Sequence, residues 1–393
     1  MSKIPYLIAK EDWNALAELK AVDPLIKVLD DLIENDQLWE ADSGEIFGAL
    51  GKIGDTKAVN FLIKCLQNED DTVRTSAAQG LGSCNFSAIT AVEREDTIKR
   101  AIEALIHTIS DEEDTVREYV SDTLSGFGEK AVGPLISLID KGVITDIPKN
   151  ELTSYYPSDV LCSMVEALAY TESKNAVDTL IKVLHKSSFT VYNRKDKVLA
   201  EIKGWDLLKS QTTAARGLGL IGDKRAIEPL NKALELDDMD VRLEAACSLG
   251  LMDDSNGIKI LVTEYKAAKK TNRSRCKNLL EKIPPKKVGA VLENLELYDD
   301  AEEWYTSAGI LDKAAEMRKK KADMGAAKVS QKIVHGDEVT KTEIKDSVLN
   351  RSTVGGGSSK MQELKELKEM FDSDFISKEE MEKMKKEILE NNG

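Results

Sequence analysis

No apolar run in this 393-residue chain approaches the ~18 residues a membrane-crossing helix needs. The first residues set only four or five apolar side chains among Lys3, Pro5 and Lys10, too few for the apolar core of a secretion signal. The sequence therefore predicts a cytoplasmic protein without membrane association. Histidine is scarce: His107, His185 and His335 are the whole set, and no two stand at metal-ligand spacing. The five cysteines, Cys65, Cys84, Cys162, Cys247 and Cys276, are far apart and form no Cys-x-x-Cys pair, so they read as reduced thiols, not as a disulfide framework.

Nucleotide-binding chemistry is missing in the same way. A phosphate-cradling Gly-x-x-x-x-Gly-Lys-Ser/Thr string does not occur. The run Gly217-Leu218-Gly219-Leu220-Ile221-Gly222 matches the dinucleotide fingerprint in letters, but it ends a helical pattern where the fingerprint needs a preceding strand and a following helix. Paired carboxylates at Asp70-Asp71, Glu112-Glu113 and Asp237-Asp238 fall in turns, where helix capping accounts for them. No catalytic residue, cofactor site or metal site is expected.

What the chain does contain is an internal repeat over residues 20–285. One copy runs from Lys57-Ala58-Val59 through Leu62-Ile63 to an acidic turn, then Asp71-Thr72-Val73-Arg74, Ala77-Ala78 and Gly80-Leu81-Gly82. Others lead from Ala101-Ile102 to Asp114-Thr115-Val116-Arg117, and from Ala226-Ile227 to Asp240-Val241-Arg242, with weaker copies from Ala21, Ala131 and Ala176. The starting alanines lie 37, 43, 30, 45 and 50 residues apart, which fits a two-helix unit of about 30 residues with insertions. Proline at Pro24, Pro134 and Pro229 suits a helix start, and the small residues of the second helix allow close packing.

This pattern resembles the HEAT-like repeats first associated with phycobilisome lyases, over about two-thirds of the chain. The resemblance implies an all-α superhelix of helix pairs, often a scaffold. It also implies a structural ladder in which charged side chains of the Asp-Thr-Val-Arg step tie neighbouring repeats together, here Asp71, Arg74, Asp114, Arg117, Asp240 and Arg242. In the fourth and fifth units Leu161 and Gln211 stand where the ladder arginine would be. A HEAT-repeat enzyme family, the deoxyhypusine hydroxylases, holds a di-iron site on His-Glu pairs, and this sequence has no His-Glu dipeptide.

Two insertions, residues 141–158 and 186–210, separate the first and second helices of consecutive units and should emerge on one rim. They hold Tyr155, Tyr156, Phe189, Tyr192 and Trp205, five of the chain's 20 aromatic residues. Two readings fit these rings: a cover over the apolar edge of imperfect repeats, or a partner-binding patch.

Beyond the array, which is assigned to residues 1–285, the segment 286–327 resembles a single tetratricopeptide-type helical hairpin capping the end, on Tyr298-Asp299-Asp300-Ala301, Trp304-Tyr305 and Gly309. Residues 328–360 are polar and end in Gly355-Gly356-Gly357-Ser358-Ser359, a linker composition. Within them Val334, Val339, Ile344, Leu349 and Val354 recur every fifth residue, similar to a pentapeptide repeat. Residues 361–393 pattern as two charged amphipathic helices, with Ser377 and Glu380 at capping-box spacing, and resemble a SHOCT (short C-terminal) domain, although Asp374 stands where that family has Gly.

Charge is uneven within the net −15: residues 259–287 carry ten Lys or Arg against two Glu. Lys266, Lys269, Lys270, Arg273, Arg275 and Lys277 could meet phosphates, an acidic protein, the chain's own acidic faces, or only solvent. The preferred reading is a non-catalytic protein–protein interaction scaffold whose C-terminal region promotes assembly or binds a partner. The alternatives are bilin lyase-like chromophore binding, resting on the repeat resemblance alone, and nucleic-acid binding through residues 259–287.

Overall fold

The computed structural model describes residues 3–35, 37–38, 43–145, 155–193, 197–267 and 270–330. Among them the chain forms helix pairs in succession. Each first helix carries apolar residues three or four apart, which form one stripe: Val22, Leu25 and Leu29 in Val22–Glu34, and Val177, Leu180 and Leu184 in Val177–His185, are all buried. Among the described residues no helix is long and apolar enough to cross a membrane.

The second helices, Ser43–Ile53, Asp71–Gly82, Asp114–Gly126, Tyr155–Ala169, Leu208–Ile221 and Met239–Leu251, each pack on the next in an unbroken row. Small residues set the spacing. A methyl group added to Gly219 would lie 2.4 Å from Ser248 Oγ, and one added to Gly217 would lie 2.4 Å from Ala169 Cβ. Buried hydroxyls use that closeness: Thr123 Oγ1 donates to Ala78 O (3.0 Å), Ser121 Oγ to Ser163 O (3.1 Å) and Ser248 Oγ to Ala215 O (2.8 Å). Each satisfies a buried polar group on the neighbouring helix and fixes the slide of one helix along the next. The fingerprint-like glycines thus serve helix contact, and Gly222 ends its helix in the left-handed conformation (φ +65°) that a side chain rarely adopts.

The architecture is the expected helical solenoid, with one departure from an all-helical chain. The two insertions pair into a three-stranded sheet of β1 (Val143–Thr145), β2 (Ser188–Asn193) and β3 (Lys197–Lys203), in that order. β1 runs parallel to β2, with Val143 opposite Val191, and β2 runs antiparallel to β3, with Phe189 opposite Ile202. The parallel pairing follows from the repeat: both insertions leave the C-terminal ends of successive first helices, Glu129–Lys141 and Val177–His185, and so travel the same way. Val143, Phe189, Val191 and Ile202 are buried, which gives the sheet an inner face. A register shift between Val191 and Tyr192 marks a bulge.

The apolar interior divides at the helix Met239–Leu251. Val241, Ala245 and Leu249 belong to the core that runs back to Leu7, whereas Leu243, Ala246 and Cys247 belong to a second core reaching Met317. From Leu243 to Gly250 every residue of that helix is buried, so it packs against both cores at once. The second core is built by Ser255–Ala267, Lys270–Lys282, Pro285–Asn294, Tyr298–Ser307 and Leu311–Ser330. Residues 286–327 therefore hold three helices where a hairpin is expected, the third following the turn at Gly309 (φ +70°). The pentapeptide-like and SHOCT-like segments lie outside the described residues.

Candidate functional site

The structure separates the five rim aromatics. Phe189 is only 3% exposed on the inner face of the sheet, with the Lys186 ammonium 4.0 Å from the centre of its ring. Tyr192 is half-buried beside the bulge. Trp205 is 85% exposed, on the 3-10 turn Gly204–Leu207 that joins β3 to the helix Leu208–Ile221. Tyr155 and Tyr156 begin the helix Tyr155–Ala169, and their side chains lie outside the described residues. One ring thus covers the core as the first reading of the insertions holds, and one stands in solvent as the second requires.

Beside Trp205 opens a cleft of about 690 Å³, between its turn and the turn that precedes Met239–Leu251. Its apolar lining includes Leu207, Leu208, Leu236, Met239 and Val241, and Asp237, Asp238 and Lys186 supply its charges. Asp238 is engaged in the fold, its carboxylate accepting the amides of Asp240 (2.9 Å) and Val241 (3.0 Å) as a helix cap. Asp237 is exposed.

The sequence reading missed Leu236, Asp237 and Met239, although a signal was present. Counting six residues back from the ladder arginines gives Asn68 and Asp111 in two units and Leu236 in this one, an apolar side chain where the other two arginine-bearing units are polar.

The ladder residues hold these turns. Arg74 Nη1 donates to the carbonyls of Asn68 (3.0 Å) and Glu69 (2.7 Å), Arg117 Nη1 to those of Asp111 (2.7 Å) and Glu112 (2.8 Å), and Arg242 Nη1 to those of Leu236 (2.8 Å) and Asp237 (2.7 Å). Each arginine thus closes the turn before its own helix by satisfying two carbonyls of that turn. Gln211, at the equivalent place in the fifth unit, does the same with an amide, donating to Leu184 O (3.1 Å) and Lys186 O (3.3 Å) across the sheet insertion. Links between units are fewer. Arg74 grips Asp111 of the next unit through Nε (2.7 Å) and Nη2 (2.9 Å), and Arg275 pairs with Asp240 of the preceding one. The Arg74 guanidinium is held above its ordinary range first by that hydrogen bond to Asp111. Asp114 pairs with Arg117 of its own helix, and Asp71 is exposed.

The basic band meets the protein's own acids and rings. Lys266 pairs with Asp300, Arg275 with Asp240 and Lys277 with Glu281 (4.0 Å), while the Arg273 guanidinium lies 4.7 Å from the centre of the Tyr265 ring. Lys269 lies outside the described residues, as does the side chain of Lys270.

A polar network crosses the row of second helices. Arg216 Nη2 donates to Glu244 Oε1 (3.0 Å) of the next unit, and Lys209 Nζ to Asp159 Oδ1 (2.9 Å) of the preceding one. Glu166 is half-buried beside them, and burial lifts its carboxyl above the usual range against the attraction of Arg216. The hydrogen bond to Glu244 raises the Arg216 guanidinium. The thiols of Cys65 and Cys84 are pushed up to about 12, and that of Cys247 to about 11, chiefly by burial, which keeps them protonated near neutrality. Among the described residues no three His, Cys, Asp or Glu side chains are grouped to hold a metal ion.

Comparison with known proteins agrees with this repeat structure. Residues 48–68 and 211–235 match the PBS lyase HEAT-like repeat, each match spanning all or part of a second helix and the first helix of the following unit. No curated protein matches. Among solved structures, the complex of CpcE and CpcF of phycocyanin lyase from Nostoc sp. PCC7120 is 20% identical, with 70% of this chain and 91% of that one covered and a TM-score of 0.31. Two engineered proteins are 18% and 16% identical; the first alignment covers 76% of this chain and 97% of that one, the second 79% and 81%, with TM-scores of 0.27 and 0.29. TM-scores this low carry no argument about function. The repeat match and the stacked helix pairs together show an all-α solenoid fold of HEAT-like repeats.

Proposed function

We propose that this protein is a non-catalytic interaction scaffold whose docking surface lies on the rim formed by the two insertions. The observation that supports it most is Trp205, 85% exposed beside an apolar cleft and held between a sheet strand and a helix. A large exposed ring on a rigid mount is favourable for binding, because little conformational freedom remains to be lost on contact. The buried, protonated cysteines and the structural use of the turn carboxylates agree with a role that needs no chemistry.

The test is affinity capture with the full chain from host-cell lysate, read by quantitative mass spectrometry, comparing wild type with the double variant Tyr192→Ala/Trp205→Ala. Wild type should retain a reproducible stoichiometric partner that the double variant loses. Failure to retain any stoichiometric partner under several growth conditions would end the scaffold reading. Residues 361–393 are assigned an assembly role: their deletion should lower the number of chains per particle measured by light scattering, and an unchanged number removes that assignment.

The match to the PBS lyase HEAT-like repeat supports a second reading, bilin handling. Mixing the purified chain with free bilin should then shift the visible absorption band, and an unshifted band excludes it.

A further inference from the structure

We propose that the Trp205 cleft receives a short segment of a partner protein in which an aliphatic side chain stands next to an arginine or lysine. The inference rests on the scaffold reading and adds the chemistry of what docks. A cleft of about 690 Å³ is within the range of pockets that enclose a compact apolar group. Its lining of Leu207, Leu208, Leu236, Met239 and Val241 offers an aliphatic side chain surroundings like its own.

The charges select the neighbour of that side chain. Two carboxylates and one ammonium line the cleft, and the ammonium of Lys186 is already placed over the Phe189 ring, 4.0 Å from its centre. Asp238 is occupied in capping its helix, which leaves the exposed carboxylate of Asp237 as the charge open to a ligand among the described lining residues. The Trp205 indole offers a ring face that attracts cations. A guanidinium or ammonium is therefore favoured twice, by the ring and by Asp237, whereas phosphate and carboxylate groups are repelled.

The repeat itself points to this turn. Where the equivalent turns carry Asn68 and Asp111, this one carries Leu236, whose side chain lines the cleft. The turn is also rigid: Arg242 Nη1 ties the carbonyls of Leu236 and Asp237, and Gln211 ties the facing chain at Leu184 and Lys186.

The experiment selects random 12-residue peptides displayed on phage against the full wild-type chain, with counter-selection on Trp205→Ala. Enriched sequences should pair Leu, Ile, Val or Met with Arg or Lys. One selected peptide, fluorescently labelled, should bind Trp205→Ala and Asp237→Lys at least tenfold more weakly than wild type in anisotropy titrations. Circular dichroism melts of both variants should match wild type, since both side chains are exposed. Enrichment of acidic peptides, or of peptides that bind all three proteins alike, would overturn the proposal. So would an absence of Trp205-dependent enrichment, or a dimer in light scattering that Trp205→Ala abolishes. If a lysate partner is retained equally by Tyr192→Ala/Trp205→Ala and no peptide is enriched, the scaffold stands and this docking chemistry falls. If peptides behave as stated and no lysate partner is found, the reverse holds.

Discussion

Arg74 and Arg242 occupy the same repeat position and make the same pair of carbonyl contacts, yet their surroundings differ. Arg74 also holds Asp111 bidentately, with side chains 10% and 9% exposed, while Arg242 is half-buried and its Nη1 turns to carbonyls alone. Removing one partner of a buried pair leaves an uncompensated charge, so Arg74→Ala should lower the unfolding free energy by about 3 kcal/mol. Arg242→Ala should lower it by about 1 kcal/mol, the loss of ordinary hydrogen bonds. Urea titrations of the two variants decide this, and equal losses would show that Asp111 contributes nothing. Glu166 offers a pH test. Its carboxyl is lifted in the folded chain, so its ionisation opposes folding: the protonated form's advantage is fully present below the ordinary value of 4.5 and is lost as pH rises through the lifted one. Glu166→Gln should therefore raise the thermal midpoint at pH 7 and leave it unchanged at pH 3.5, as scanning calorimetry at the two pH values would show. These polar roles were only partly legible. That an arginine follows the acidic turns at Asp70-Asp71, Glu112-Glu113 and Asp237-Asp238 is visible in the sequence, and its contacts five and six residues back are local. That Arg74 chooses Asp111, 37 residues on, depends on how two units stack.

At the scale of the element, the row of second helices is set by small side chains. Gly219→Ala gains helix propensity but places a methyl 2.4 Å from Ser248 Oγ, the hydroxyl that donates to Ala215 O. The clash and the disturbed hydrogen bond should outweigh the gain, for a net loss of about 1–2 kcal/mol. Gly133 lies within Glu129–Lys141 with open space around its Cα, so Gly133→Ala should instead stabilise by up to about 1 kcal/mol. Denaturation midpoints moving in opposite directions would confirm that contact, not composition, distinguishes the two glycines. The helices themselves were readable because their stripes recur every three or four residues. The sheet was not read, although Phe189-Thr190-Val191-Tyr192 carries the β-branched and aromatic residues that strands favour. Its partner β1 is three residues long and pairs with residues 48 positions on, and a strand that short has no pattern of its own.

For the whole molecule, net charge alone misleads. The band at residues 259–287 is strongly basic in sequence, yet Lys266, Arg275 and Lys277 meet carboxylates of the same chain and Arg273 meets a ring. Exposed pairs of this kind contribute under about 1 kcal/mol each to stability, but they lower the field available to a phosphate backbone. A labelled 30-residue single-stranded oligonucleotide should accordingly show no salt-dependent anisotropy change from 50 to 200 mM salt. A steep dependence would restore the nucleic-acid reading.

The sequence by itself determined the helix pairs of the repeat, their order, the glycine helix ends and the arginines that close three of the turns, because all of these rest on contacts within a few positions along the chain. Tertiary structure alone decided which carboxylate each cation meets, that two insertions join as one sheet, and that Phe189 is covered while Trp205 is left in solvent above a cleft. Those outcomes depend on the spacing between stacked units, which is fixed by residues far apart along the chain, such as Gly219 and Ser248, and by no local pattern.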